Sequence, residues 1–245
     1  MRVWKLLFAF AAAACLSYAV DDGRFHWIGH VADGGSLEIK GLNGGIRAEP
    51  STGKDVEVVA LKDGHGDASS VRIDVVEHDG SVTLCAVYPP GHWFSRQSDI
   101  RVDFAVRVPP GVRLVARTVN GNVDATGLRG DLEAHTVNGD VHFNAAGSAQ
   151  ASTVNGSITG SMERMPDGGR NFSTVNGSIT LRIPNGADAD VRASTVTGRI
   201  STDFPLTVHG GLVGKSLKGT IGRGGRELKL NTINGSIQLL YPARI

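Results

Sequence analysis

The 245 residues carry 25 Lys+Arg against 24 Asp+Glu, for a formal net charge of +1. That balance excludes the basic excess that draws a protein to nucleic acid or anionic lipid. With 33 glycines, nine prolines, 6% aromatic residues and no collagen-like triplet, the composition suits thin, turn-rich β structure better than a helical bundle.

The chain opens with an export signal. Arg2 and Lys5 precede an uncharged apolar run from Leu6 to Leu16, and Ser17-Tyr18-Ala19 offers small residues where a signal peptidase reads. Cleavage is expected after Ala19, so residues 1–19 are assigned to a signal peptide. The mature chain is then expected in the periplasm or at the cell surface. In a rival reading, Ala12-Ala13-Ala14-Cys15 is a weak lipoprotein box and Cys15 carries lipid. Membrane attachment is expected only in that case, because the run is shorter than the roughly 20 apolar residues a spanning helix needs.

Residues 20–35 form a lead segment in which Phe25-His26-Trp27-Ile28 is either a first strand or a tail. Residues 36–110 are strand-rich but irregular. Val56-Val58-Ala60, Val71-Ile73-Val75, Val82-Leu84-Ala86 and Ile100-Val102-Phe104-Val106-Val108 alternate at period two. Turn signals at residues 62–67, 77–80 and 88–91 divide them. Cys85 lies in one of these runs. Either processing route leaves it without an intramolecular partner, and it reads as a small buried hydrophobe rather than a nucleophile.

Residues 111–245 repeat. The copies are Thr118-Val-Asn-Gly-Asn-Val, Thr136-Val-Asn-Gly-Asp-Val, Thr153-Val-Asn-Gly-Ser-Ile, Thr174-Val-Asn-Gly-Ser-Ile, Thr195-Val-Thr-Gly-Arg-Ile, Ser216-Leu-Lys-Gly-Thr-Ile and Thr232-Ile-Asn-Gly-Ser-Ile. A degenerate copy, Gly41-Leu-Asn-Gly-Gly-Ile, lies in the irregular part. Starts from 118 onward are separated by 18, 17, 21, 21, 21 and 16 residues. Val191-Ala193-Thr195 and Val196-Gly198-Ile200 alternate on opposite parities. A straight strand cannot bury both sets, since a one-residue slip flips every side chain. A corner near the Thr would let both face the core. Each repeat is then one strand, a corner, a second strand and a variable return loop.

These features predict an all-β chain. The expected form is a β-solenoid of short coils, with wider, less regular coils at the N-terminal end and no helix after the signal peptide. The rival is a set of Asn-Gly hairpins in a sandwich or barrel. The repeat residues Asn120, Gly121, Asn138, Gly139, Asn155, Gly156, Asn176, Gly177, Gly198, Gly219, Asn234 and Gly235 are expected to be structural. The glycines would supply left-handed angles or close backbone approach, and the asparagines would stack as a ladder.

The export signal, the entry Val106-Arg-Val-Pro-Pro-Gly-Val-Arg-Leu and the Thr-Val-Asn-Gly copies through Ile237 together resemble the bacterial putative adhesin family, an exported domain of unknown function. The resemblance covers most of residues 31–245. It implies the solenoid fold and an adhesin-like role, and it brings no catalytic residues.

The search for chemistry supports a non-enzymatic reading with no cofactor and no metal. None of the eight histidines forms His-Glu-x-x-His, and the ligands zinc needs are not grouped. His135 and His142 flank one copy and could approach each other. Asp124, Asp140 and Asp190 sit at non-equivalent repeat positions, so no carboxylate pair for glycoside hydrolysis assembles. The serines after the glycines, Ser157, Ser178 and Ser236, read as surface residues. The candidate partner-binding loop is Tyr88-Pro-Pro-Gly-His92-Trp93-Phe94, which brings three aromatics together in a Pro/Gly segment. The expected function is an envelope adhesin or scaffold that binds glycan or a surface protein. The alternatives are a carbohydrate-active β-helix enzyme and a self-assembling envelope protein that associates through its ends, with residues 235–240 as an exposed terminal strand.

Overall fold

The structure is a computed structural model that describes residues 23–65, 67–90, 100–165, 167–210 and 214–242. The expected signal segment, Cys15, His92, Trp93 and Phe94 lie outside the described residues.

Alternating side chains put the chain into strands facing one shared core. The N-terminal strands are β1 (Arg24–Gly29), β2 (Ser36–Lys40), β3 (Ile46–Pro50), β4 (Val56–Asp63), β5 (Arg72–His78), β6 (Ser81–Val87) and β7 (Arg101–Val108). The repeats supply β8 (Arg113–Arg117), β9 (Val123–Leu128), β10 (Leu132–His135), β11 (Val141–Ala145), β12 (Ala149–Ser152), β13 (Ile158–Met162), β14 (Arg170–Ser173) and β15 (Ile179–Arg182). The C-terminal part adds β16 (Ala189–Thr197), β17 (Ile200–Thr202), β18 (Val208–Gly210), β19 (Lys215–Ile221), β20 (Glu227–Asn234) and β21 (Ile237–Leu240). Among the described residues the only helical element is a single 3-10 turn at Ala68–Ser70.

The strands form two facing sheets, each coil giving one strand to each. The first runs β1-β4-β7-β3-β9-β11-β13-β15-β21-β17, the second β18-β19-β16-β20-β14-β12-β10-β8-β2-β6-β5. Neighbouring coils pair in parallel and in register: Val141 lies beside Ile158, Ile158 beside Ile179 and Ile179 beside Ile237. Hairpins at the Asn-Gly sites would pair antiparallel, so the parallel register decides for the solenoid. Antiparallel strands border the ends: β4 and β1 on β7, β5 on β6, and β19 and β18 on β16. Phe25 and Trp27 of β1 are buried, so the lead segment contributes a strand.

Spatial order departs from chain order twice. The β2/β3 coil sits between β6/β7 and β8/β9. The final coil, β20/β21, sits between β14/β15 and β16/β17. Residues 235–240 therefore do not form the exposed terminal strand expected from their place in the sequence. Ile237 is fully buried between Ile179 and Ile200.

Two further expectations are corrected. The Val or Ile after each Thr does not enter the core. Val137, Val154, Val196 and Ile233 are 38%, 39%, 49% and 46% exposed. The chain bends at that residue, so its side chain stands on the convex side of the corner and inward alternation resumes at Val141, Ile158, Ile200 and Ile237. The Ser216-Leu-Lys-Gly-Thr-Ile segment is not a coil corner. It lies within β19, which runs antiparallel to β16 and sets Gly219 opposite Val191. A Cβ on Gly219 would meet only the flexible end of Leu206. Lys218 carries no carboxamide to join the corner row described below.

Candidate functional site

The corners are built by three hydrogen-bonded rows. In the first, each Asn carboxamide donates to the next. Nδ2 of Asn120, Asn138, Asn155, Asn176 and Asn234 reaches Oδ1 of Asn43, Asn120, Asn138, Asn155 and Asn176 at 2.7–2.8 Å. Thr197 Oγ1 donates to Asn234 Oδ1 at 2.7 Å. In the second row the leading Thr hydroxyls, all buried, donate to a Gly carbonyl of the adjacent coil: Thr118 to Gly44, Thr136 to Gly121, Thr153 to Gly139, Thr174 to Gly156, Thr232 to Gly177 and Thr195 to Gly235, at 2.8–2.9 Å. In the third, the side chain after the Gly, from Asn122 through Ser236, accepts a backbone N–H from the next coil. Asp140 N–H reaches Asn122 Oδ1, Ser157 N–H reaches Asp140 Oδ1, and Ser178 N–H reaches Ser157 Oγ. The serines are thus half-buried acceptors of the ladder rather than free surface groups.

Close approach explains the invariant Gly. A Cβ on Gly121, Gly139, Gly156, Gly177, Gly198 or Gly235 would run into the backbone carbonyl of the adjacent coil's corner glycine. No rotamer relieves such a clash, because both groups are main chain.

A groove of about 660 Å³ opens beside the first of these corners. Its floor is low because Ala105, Gly44 and Gly45 are small. On one side Arg47 of β3 stands next to Asp124 of β9, its register partner. On the other are Leu61, half exposed, and Arg101. Asp103 is held in place: its Oδ1 accepts from Gly45 N–H at 2.7 Å and its Oδ2 pairs with Arg101 Nε at 2.7 Å. That hydrogen bond and the Asp103 charge raise the Arg101 pKa above its usual range. Arg47 has no ion-pair partner among the described residues. The groove thus combines the Arg47 guanidinium, the amides of Asn120 and Asn122, and an apolar wall.

Of the candidate loop, Tyr88 is placed. Its hydroxyl lies 3.2 Å from the Ile100 carbonyl and 3.4 Å from the Asn43 carbonyl, and its half-buried ring packs on the core. Burial pushes its pKa up, only partly offset by the Asn43 contact. Tyr88 therefore fastens the chain entering residues 91–99 to the corner that borders the groove. The sequence does not reveal the groove itself, since residues 43–47, 101–105 and 120–124 converge only through coil stacking.

The other candidates separate. His135 projects from the second sheet, 2.8 Å from Glu133 Oε1 and 2.6 Å from Ser152 Oγ. His142 stands on the outer face of the first sheet, so the two do not approach. Asp190 accepts from Gly225 N–H and from the Thr220 hydroxyl, which together lower its pKa. Cys85 is half-buried, and burial raises its thiol pKa, the opposite of an activated nucleophile. No group of three or more His, Cys, Asp or Glu that could hold a metal occurs among the described residues.

Comparison with known proteins bears on the fold. A putative cell adhesion protein from Clostridium sporogenes ATCC 15579 has a similar structure, with a TM-score of 0.52 at 12% identity. The match covers 89% of this chain and 100% of that one. A putative adhesin from Bacteroides fragilis NCTC 9343 matches at 13% identity over 91% of this chain and 98% of its own, with a TM-score of 0.37. At 12% identity the first of these likenesses speaks to fold alone. No curated protein matches. The family model described as Toastrack DUF4097 matches residues 29–240, from the end of β1 to the end of β21. The chain belongs to the Toastrack DUF4097 family.

Proposed function

We propose that this protein is an exported, adhesin-like module of the cell envelope that holds a glycan or protein partner at the groove beside Asn43. The observation that carries the reading is the groove. It is a concave site that combines the Arg47 guanidinium, exposed carboxamides and an apolar Leu61 wall. Polar groups converging on a concave surface are the usual make-up of a binding site. The adhesin-like names of structural relatives support the role, and the segment of residues 1–19 supports export. Among the described residues, nothing in the groove pairs two free carboxylates, as a glycosidase would need: Asp103 is committed to Gly45 and Arg101.

The test is a binding screen of the protein against bacterial and host glycans and matrix proteins, with Arg47→Ala/Leu61→Ala and Trp93→Ala/Phe94→Ala in parallel. The groove reading predicts saturable binding that the first double variant loses. Loss in the second alone would move the site to the loop. Retention in both, or no binding at all, would overturn it.

A further inference from the structure

The corner exposes more than the groove. Beside the Asn row runs a second row of Leu42, Val119, Val137, Val154, Val175, Ile233 and Val196, one from each coil. Its members are half-buried or exposed, up to 49% at Val196. The core does not use these side chains, yet an aliphatic residue occupies the place in every coil. From Asn43 to Thr197 neither row carries a charged residue. The six inter-coil spacings of about 4.8 Å give a stripe about 29 Å long, which starts at the groove.

The amide row is only half used. A carboxamide has two N–H donors and two acceptor lone pairs. Within the ladder, each Asn from Asn120 to Asn234 spends one N–H and one lone pair. These five side chains are exposed. Each of these five coils therefore offers solvent one N–H, one lone pair and one aliphatic surface at a fixed repeat.

We propose that this stripe is a binding track for a linear, uncharged polysaccharide bearing acetamido groups, a reading that rests on the adhesin-like function above and names its ligand class. An acetamido group presents a C=O to the free Asn N–H, an N–H to the free lone pair, and a methyl to the neighbouring Val or Ile. The lack of charge disfavours a polyanion, whose desolvation no cation on the track would offset. The stripe is about 7 Å wide, two residues along the strand, and so covers about 200 Å². That is far short of the roughly 800 Å² per partner of a stable protein interface. The backbone at the corner is already paired between coils, so a peptide strand finds no edge to join. A single chain whose acetamido groups face the stripe at a regular interval of one or two coils regains the same contacts at each repeat.

The experiment measures binding of chitooligosaccharides from dimer to octamer to the purified protein by calorimetry. Cellooligosaccharides serve as probes without acetamido groups and an oligouronate as a charged probe. The variants are Val154→Asp on the stripe and Thr159→Asp on the outer face of the first sheet, with thermal unfolding confirming that both fold. The track predicts affinity rising at least about ten-fold from dimer to hexamer through added contacts along one chain. Val154→Asp should remove that rise and leave dimer affinity unchanged, while Thr159→Asp leaves both unchanged. Cellooligosaccharides and the oligouronate should bind at least about ten-fold more weakly. Length-independent binding that Arg47→Ala abolishes would overturn the track and leave the groove standing. Equal response to Val154→Asp and Thr159→Asp would overturn it as well. Absence of binding by every probe would overturn the track, while the wider screen above would still decide the adhesin-like reading.

Discussion

Thr197 Oγ1 donates a 2.7 Å hydrogen bond to Oδ1 of Asn234, 37 residues later in the chain, and terminates the carboxamide row that begins at Asn43. The one corner lacking Asn is thus the end of the row, where a hydroxyl suffices. Thr197→Val should cost about 1 kcal/mol in urea unfolding, the net worth of one hydrogen bond. Thr197→Asn should be neutral or slightly stabilising. Equal loss from both would show that the hydroxyl plays no part in the row.

The glycines make a sharper pair. Gly177→Val drives a side chain into the Gly156 carbonyl, so a loss of about 3 kcal/mol or failure to fold is expected. Gly219→Ala meets only the end of Leu206, and its cost should stay below about 1 kcal/mol. Comparable destabilisation of the two would contradict the assignment of residues 216–221 to an antiparallel border strand.

Inside the corner, Thr174→Val removes a buried hydroxyl donor and leaves the Gly156 carbonyl short of a partner. A loss of about 1–2 kcal/mol is expected. Thr174→Ser keeps the donor and should recover most of it, as read by the denaturant midpoint.

Glu133 joins two coils to a third group. It accepts from Arg113 and Arg117 at 2.6 Å and lies 2.8 Å from His135. Burial pulls its pKa upward, but the hydrogen bonds and charges of His135, Arg113 and Arg117 outweigh this and hold it below 4.5. A carboxyl whose pKa is lowered by folding adds stability above its unfolded-state value and loses it as pH falls through the folded-state value. Glu133→Gln should therefore lower Tm at pH 7, by about 1 kcal/mol of stability. The gap to the parent should close below pH 4.5. A gap constant from pH 7 to pH 3 would rule out ionisation as its source.

Insertion of the last coil has a mechanical consequence. β16 and β17 contact the rest of the stack through β20 and β21. Deleting residues 227–245 should therefore release residues 189–221 as well, visible as rapid proteolysis and fast amide exchange there, with residues 113–162 still protected. Continued protection of residues 189–221 would mean that this coil docks elsewhere.

The sequence alone determined the coil. Alternation gave the strands. The parity switch at the Thr gave the corner, and a Gly at each true corner marked where two backbones meet. Such local rules can be read from one chain because each repeat imposes the same steric demand. Which coil lies beside which could not be read. Gly41-Leu-Asn-Gly-Gly-Ile sits beside a copy that starts 77 residues later, between Asn43 and Asn120. Thr232-Ile-Asn-Gly-Ser-Ile inserts between the Thr174 and Thr195 copies, and 216–221 only imitates a copy. Stacking order is set by tertiary contacts, such as Asn234 entering the amide row where Lys218 carries no carboxamide to do so. The groove shares that origin: Arg47 and Asp124 meet through the parallel pairing of β3 with β9, and Leu61 and Arg101 reach them through β7, parallel to β3 and antiparallel to β4, a set of pairings that exists only in the folded stack.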